Sequence, residues 1–170
     1  MRIIVSDIPH SGLEQEFKMA VTLYDDKGKN DVWVFLKAFK VGDKVLIDGR
    51  AQAETSLVCS RCLKEFSYPM NVKFDVEYVP FREFAGAGEH ELAREELDLS
   101  FYKNDEIDIE ELVMEHLLLA LPMKPLCKSD CLGLCTKCGK DLNKGICECR
   151  ADEIEPRLSH FRNLIPTLLD

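Results

Sequence analysis

No stretch of this chain is apolar for long enough to cross a bilayer. The longest unbroken apolar run, residues 117–123, is seven residues and includes a proline, against the roughly 20 that a spanning helix needs. The opening Met-Arg-Ile-Ile-Val-Ser-Asp reaches a charge at Asp7 without the apolar stretch of a secretory leader, so a cytoplasmic location is expected. A surplus of positive charge is missing too. With 22 Lys and Arg against 31 Asp and Glu, the net charge is -9, which excludes a general attraction for nucleic acid. No glycine-rich phosphate loop is present, and no internal repeat or low-complexity tract. Histidine is scarce, at four residues. His10, His90 and His160 have no evident partner, and no Ser-His-Asp or Cys-His arrangement shows in the spacing. His116 falls on an apolar stripe and reads as a packed histidine rather than a ligand. The acidic residues isolate no catalytic pair. These absences argue against an enzyme.

What is present is the composition of a globular protein. The 170 residues are 46% hydrophobic and 31% charged, enough for one domain or a core domain with a small appendage. The negative charge is concentrated. Residues 89–115 hold eleven acids and two bases, and the remainder of the chain is neutral. Such a run reads as a solvated face or a tether. Residues 27–73 carry nine bases and five acids. Within them Lys37, Lys40, Arg50, Arg61 and Lys64, near Trp33, form a candidate nucleic-acid patch, although a charged sheet face is more often simply solvated.

The first eighty residues alternate as strands do. Residues 18–24 lead into Asp25-Asp26-Lys27-Gly28, a hairpin turn. Residues 31–39 place Trp33 and Phe35 on one face and Val34 and Leu36 on the other. After a turn at Val41-Gly42-Asp43 comes a long strand over residues 44–58, with Gly49 marking a bulge or a close approach. A further strand over residues 70–79 is bounded by Pro69 and Pro80. The predicted fold is α+β: an antiparallel β-sheet or small open β-barrel, a packed helix and a C-terminal zinc-stapled segment. The β domain covers residues 1–81. An acidic connector covers 82–106, with one strand near residues 97–101. The packed helix covers 107–122. Asp108 caps it, Glu111 stands at the capping-box spacing, and Ile109, Leu112, Val113, His116, Leu117 and Ala120 form its stripe. A cysteine-rich tail covers 123–170, with a short helix opened by Pro156 and a docking stripe of Leu158, Phe161, Leu164 and Ile165.

Eight cysteines dominate the chemistry. In a reducing compartment clustered thiols bind metal or do redox work more often than they form disulfides. Residues 123–150 hold six of them and few large apolar groups, so this segment needs a staple. Cys135-Thr-Lys-Cys138-Gly139 has the spacing of a zinc knuckle, and its glycine permits the tight turn. Cys147 and Cys149, two apart, face the same way on an extended strand. These four make one candidate zinc site. Cys59 and Cys62 look like half of another, which Cys127 and Cys131, four apart, would complete. Other readings stay open. Cys127 or Cys131 could join the knuckle, Cys59 and Cys62 could be a redox dithiol, or the thiolates could hold iron and sulfide. The dithiol reading lacks the helix and βαβ setting such motifs usually have.

One order of motifs points further. Cys59-Ser-Arg-Cys62-Leu63 is followed by Ile107-Asp108-Ile109, by Leu117-Leu-Leu-Ala-Leu-Pro-Met123, and by Pro125-Leu-Cys127. Then come Cys131-Leu-Gly-Leu-Cys135-Thr-Lys-Cys138-Gly139, Leu142-Asn143, Cys147-Glu-Cys149 and Glu155-Pro156-Arg157-Leu158. This order resembles the bacterial YceD-like family of large ribosomal RNA subunit accumulation proteins. The likeness is clearest over residues 107–162; before residue 55 only the strand pattern carries it. It implies a role in accumulation or processing of large-subunit ribosomal RNA, with ribosomal RNA or a large-subunit ribosomal protein as partner. It implies no catalytic residue. The contrasting expectation is an enzyme: a thiol redox protein using Cys59 and Cys62, or an RNA-processing nuclease.

Overall fold

The computed structural model describes residues 1–23, 29–81 and 99–149. Seven strands precede one α-helix: β1 (Arg2–Ile4), β2 (Leu13–Val21), β3 (Asn30–Val41), β4 (Lys44–Val58), β5 (Glu65–Pro80), β6 (Leu99–Tyr102), β7 (Glu106–Asp108) and α1 (Ile109–Ala120). β2 to β6 lie side by side in chain order as an open five-stranded sheet, and β1 pairs separately with β7. The fold is mostly β with one helix, and its sheets are open rather than closed into a barrel. One pairing departs from the antiparallel expectation. β5 and β6 run parallel, Glu77 facing Leu99. The expected turn at 25–28, the acidic stretch 82–98 with His90, and the terminal helix with Leu158, Phe161, Leu164, Ile165 and His160 lie outside the described residues.

Strand parity builds the core. On β3, Val32, Val34, Leu36 and Ala38 are buried, while Trp33, Phe35 and Phe39 point to the opposite face. On β4, Val45, Ile47 and Ala51 join them. The helix closes this inner face with Ile109, Leu112, Val113 and Leu117, all buried. Ala120, expected on the same stripe, is exposed because the helix ends there.

The N-terminus fixes the helix entry. Ile109 donates its N–H to the Met1 carbonyl at 2.9 Å, and Val5 donates to the Asp105 carbonyl at 2.8 Å. Asp108 Oδ1 accepts from Glu110 N at 2.9 Å and Glu111 N at 3.3 Å. Burial pushes the Asp108 carboxyl up, but these N–H donors and Arg2 hold it below the usual range. Part of the acidic run is therefore structural. Asp105 and Asp108 satisfy backbone donors, and Glu106 pairs with Arg2 at 3.1 Å.

Two sequence landmarks act differently from their first reading. Pro69 stands inside β5, not at its limit, facing Glu54. β6 covers β5 only at Glu77–Pro80, so Pro69 lies where β5 has no described neighbour on its far side and needs no N–H there. Gly49 makes no bulge; it pairs in register with Leu36 and Phe74. It is a close approach. A Cβ at Gly49 would stand 2.4 Å from the Phe74 ring and 3.1 Å from the Phe35 carbonyl. The ring lies over this gap and meets His116 of α1 on its other side, centroids 5.1 Å apart. Gly49→Ala should therefore push the Phe74 ring against the helix. We expect a stability loss of about 1–3 kcal/mol, read as a lower urea midpoint with unchanged metal content.

Candidate metal centres

β4 and β5 outrun their neighbour. β3 pairs with β4 only as far as Ala53, while β4 and β5 continue together from Glu54↔Pro69 to Val58↔Glu65. The result is a two-stranded ribbon whose turn is Cys59-Ser-Arg-Cys62-Leu63. Cys59 N donates to the Lys64 carbonyl at 2.8 Å, and Leu63 N to the Cys59 carbonyl at 2.9 Å. Leu63 takes φ 58° to close the turn, a conformation uncommon for a residue with a bulky side chain.

The segment after α1 docks on this tip. Ser60 N donates to the Pro125 carbonyl at 2.8 Å, and the Arg61 guanidinium donates to the Cys131 carbonyl at 2.8 Å. Gly133, at φ +76°, lies so close that an added Cβ would stand 3.0 Å from the Arg61 carbonyl oxygen. Residues 127–131 form a turn, not a helix, with Cys131 N donating to the Lys128 carbonyl. These contacts bring four sulfurs together: Cys59 Sγ is 3.8 Å from Cys131 Sγ, and Cys62 Sγ is 3.6 Å from Cys127 Sγ. Cys59, Cys62 and Cys131 are buried, with Phe66, Leu126 and Leu134 packed around them.

A second quartet follows at once. Cys135 N donates to the Lys140 carbonyl at 2.8 Å and Gly139 N to the Cys135 carbonyl at 2.9 Å, with Gly139 at φ +71°. Cys135, Cys138, Cys147 and Cys149 gather around this knuckle. In each quartet all four sulfurs lie within 4.8 Å of one another. This is the division that spacing suggests. The second quartet is the more open, with Cys138 and Cys149 exposed.

The two quartets interlock through residues that spacing did not single out. Asn143, in the loop of the second, donates Nδ2–H to Cys131 Sγ of the first at 3.4 Å. Its Oδ1 accepts from Leu132 N at 3.0 Å. Leu142 N donates to the Gly133 carbonyl at 2.9 Å. Asp141 pairs with Lys64 on the ribbon. Lys64, with help from Asn143, holds the Asp141 carboxyl down at about 2, so this tie is present above the ordinary carboxylate range and is lost only as pH falls toward 2. The sequence signal was faint: Asp141 and Asn143, two apart, make an Asx-type turn.

Both quartets fit a single metal ion. Four sulfurs at about 2.3 Å from one ion, in a tetrahedron, stand about 3.8 Å from one another. A disulfide needs sulfurs at about 2.05 Å, and all eight cysteines are free. The donor set also calls for a cation. Burial pushes the Cys59 thiol up, but the backbone donors of Cys127, Cys62 and Arg61 bring it to about 6. The N–H groups of Cys138 and Lys137 likewise bring Cys135 to about 6. Cys127, by burial and its thiol neighbours, and Cys149, by Cys138 and burial, are pushed up to about 12. One thiolate forms readily in each quartet, and the last is opposed by its neighbours until a dication offsets the crowding.

The remaining candidate residues are dispersed. Lys37 and Arg50 share the outer sheet face with Trp33. Lys40, three residues from Lys37, falls on the opposite face, its Nζ 3.4 Å from the Val5 carbonyl. Arg61 and Lys64 are engaged with the cysteine tail. The five bases thus form no single patch. His116 Nδ1 lies 2.9 Å from the Leu112 carbonyl, and His116 belongs to neither quartet. No helix among the described residues is long and apolar enough to cross a membrane.

An open β-sheet carrying two four-cysteine clusters able to hold metal ions defines the class of protein. The sequence model for "Large ribosomal RNA subunit accumulation protein YceD" matches residues 47–165, and the chain belongs to the YceD family. It is 29% identical over 122 residues to a Mycobacterium tuberculosis protein, covering 72% of this chain and 56% of that one. It is 28% identical to Bacillus subtilis YlbN over 72% of this chain and 67% of that one. It is 36% identical over 59 residues to the Arabidopsis thaliana "Large ribosomal RNA subunit accumulation protein YCED homolog 1, chloroplastic", covering 35% of this chain and 18% of that one. The chain spans little more than half the length of its mycobacterial relatives. No solved structure matches it.

The interlock generates a prediction. Cys62→Ser and Cys138→Ser should each remove one metal ion per chain, measured by elemental analysis. Asn143→Leu keeps all eight ligands, yet should weaken retention at the first quartet about 10–100-fold, read as the chelator concentration that strips it.

Proposed function

We propose that this protein is a non-catalytic cytoplasmic factor in ribosome assembly that supports accumulation of large-subunit ribosomal RNA, and that two structural zinc ions hold its C-terminal region in place. Family membership supports the first part, since the family takes its name from that role. The single observation that carries the second is the geometry of the two cysteine quartets. Sulfur-only tetrahedral sites suit zinc. A mononuclear ion suits these sulfur separations better than an iron–sulfur cluster, which interposes several atoms between its ligands. Four protein ligands leave no open position for a water nucleophile, and catalytic zinc needs one.

The redox alternative has less support. Cys59 and Cys62 sit in a β-hairpin turn, and each has a sulfur of the tail within 3.8 Å. A dithiol paired in this way to two further thiols is better matched to a metal site than to disulfide exchange.

Depletion of the protein in its host should lower large-subunit ribosomal RNA relative to small-subunit RNA, measured by quantitative RNA analysis and subunit profiles. An unchanged ratio would refute the assembly role. Purified without chelator, the chain should carry two zinc ions; iron or no metal would refute the zinc assignment.

A further inference from the structure

The outer face of the five-stranded sheet is built unlike a merely solvated surface. Trp33 is 55% exposed and Phe35 is 36% exposed, two residues apart on β3 and so side by side on one face. The register lays two rows across four strands. One row runs Lys18, Trp33, Gln52, Asn71; the next runs Glu16, Phe35, Arg50, Lys73. A shallow recess of about 240 Å³ lies between them, bordered by Glu16, Trp33, Phe35, Arg50 and Gln52.

The charges in these rows are arranged at a cost to the fold. Arg50 and Lys73 stand directly opposite each other across β4 and β5, a like-charge pair that disfavours pairing. Neither forms an ion pair within 4.0 Å among the described residues. Lys18 and Lys37 differ: each is held by an acid, Asp31 and Glu14, at 2.6 Å. Each of these ammonium groups also lies 5.6 Å from an aromatic centroid, Lys18 at Trp33 and Lys37 at Phe35. Two bases without acid partners therefore flank two exposed rings, with the amides of Gln52 and Asn71 in the adjoining row. Acids bound the area on either side: Glu14, Asp48 and Asp75 beyond the Phe35 row, Asp31 and Glu54 beyond the Trp33 row.

We propose that this face binds single-stranded RNA, with two bases stacked on Trp33 and Phe35 and a phosphate held between Arg50 and Lys73. Aromatic rings accept any base, because every base has a π-face. Gln52 and Asn71 supply donors and acceptors for base edges. The binding depends on stacking more than on charge, which suits a chain whose net charge is -9. A duplex hides its base faces and offers mainly phosphate and groove, and the flanking acids oppose a long phosphate track. A basic protein would be drawn to those acids, but Arg50 and Lys73 at the centre would repel it. The inference rests on the reading that the protein serves ribosomal RNA, and names how it does so.

Trp33 is the only tryptophan of the chain, so its emission reports this face alone. The metal-loaded full chain is titrated with a mixed-sequence 12-nucleotide single-stranded RNA and with the same RNA annealed to its complement. We expect quenching of Trp33 by the single strand only, and a log–log salt slope near about -1.4, for two neutralised phosphate charges. Phe35→Ala should weaken binding about tenfold, and Arg50→Ala with Lys73→Ala should flatten the salt slope. All three side chains point outward, and metal content and melting check that each variant is folded. Absence of quenching, equal binding of the duplex, or unchanged affinity in both variants overturns the proposal, as does self-association through this face. A host depleted of the protein then separates the two readings. If depletion lowers large-subunit RNA and the Phe35→Ala and double variants restore it, this inference alone fails. If depletion changes nothing, the assembly reading fails.

Discussion

Four sulfur atoms join two parts of the chain that have little else to hold them together. Between Pro122 and Cys149 the larger apolar residues are few, and Met123, Leu132 and Ile146 are exposed. Only Leu126 and Leu134 pack against the ribbon tip. Burying two leucines in part contributes at most about 1.5–3 kcal/mol each, whereas a structural zinc site supplies an apparent binding energy of about 10–16 kcal/mol at neutral pH. The comparison decides which term shapes the tail. The ion pair of Lys64 with Asp141 and the bond from Arg61 to the Cys131 carbonyl orient the docking, but neither is of a size to replace the metal.

The molecule consequently has two cores of different chemistry. The first is apolar and lies between the inner sheet face and α1, with β1 threaded beside the helix start. The second centres on Cys59, Cys62 and Cys131. The long β4–β5 ribbon is the mechanical link, since it pairs with β3 at one end and carries the cysteine turn at the other. Such an arrangement opens in parts. Loss of metal releases the tail and frees the ribbon tip, while the apolar core keeps its own contacts, so local unfolding of the tail is separable from global unfolding.

What could be read from the sequence follows from how local each signal is. The central strands were legible because burial on one face writes a period of two into β3, β4 and β5. The cysteine quartets were legible because ligand type and spacing are chemical constraints that the fold must satisfy. β1 and β7 were not, because three residues carry no period and their pairing joins Ile3 to Ile107 across most of the chain. The parallel pairing of β6 was equally hidden. The proposed basic patch misled for two reasons. Lys37 and Lys40 differ by an odd number on one strand, so parity alone separates them. Arg61 and Lys64 are claimed by contacts with Cys131 and Asp141, and no local pattern announces a contact between residues some seventy apart. Asn143 shows the same limit: it reads as an ordinary turn residue until the fold places its amide against the sulfur of the other quartet.

Geometry also separates the two surfaces that matter. Gln52, beside Trp33, and Cys59 lie on the same strand, seven residues apart. At about 3.3 Å per residue that is roughly 23 Å, well beyond the screening length of about 8 Å at physiological salt. The charge of a metal–thiolate centre therefore has little direct influence on the outer face. Coupling between them would have to run mechanically along β4 and β5. The ribbon residues Glu54 to Val58 pair only with β5, so twisting at the tip is absorbed before it reaches the rows of Trp33 and Phe35, which β2 and β3 brace from the other side. The metal centres and the sheet face are thus independent modules on one hairpin: one fixes where the tail sits, and the other is free to meet a partner.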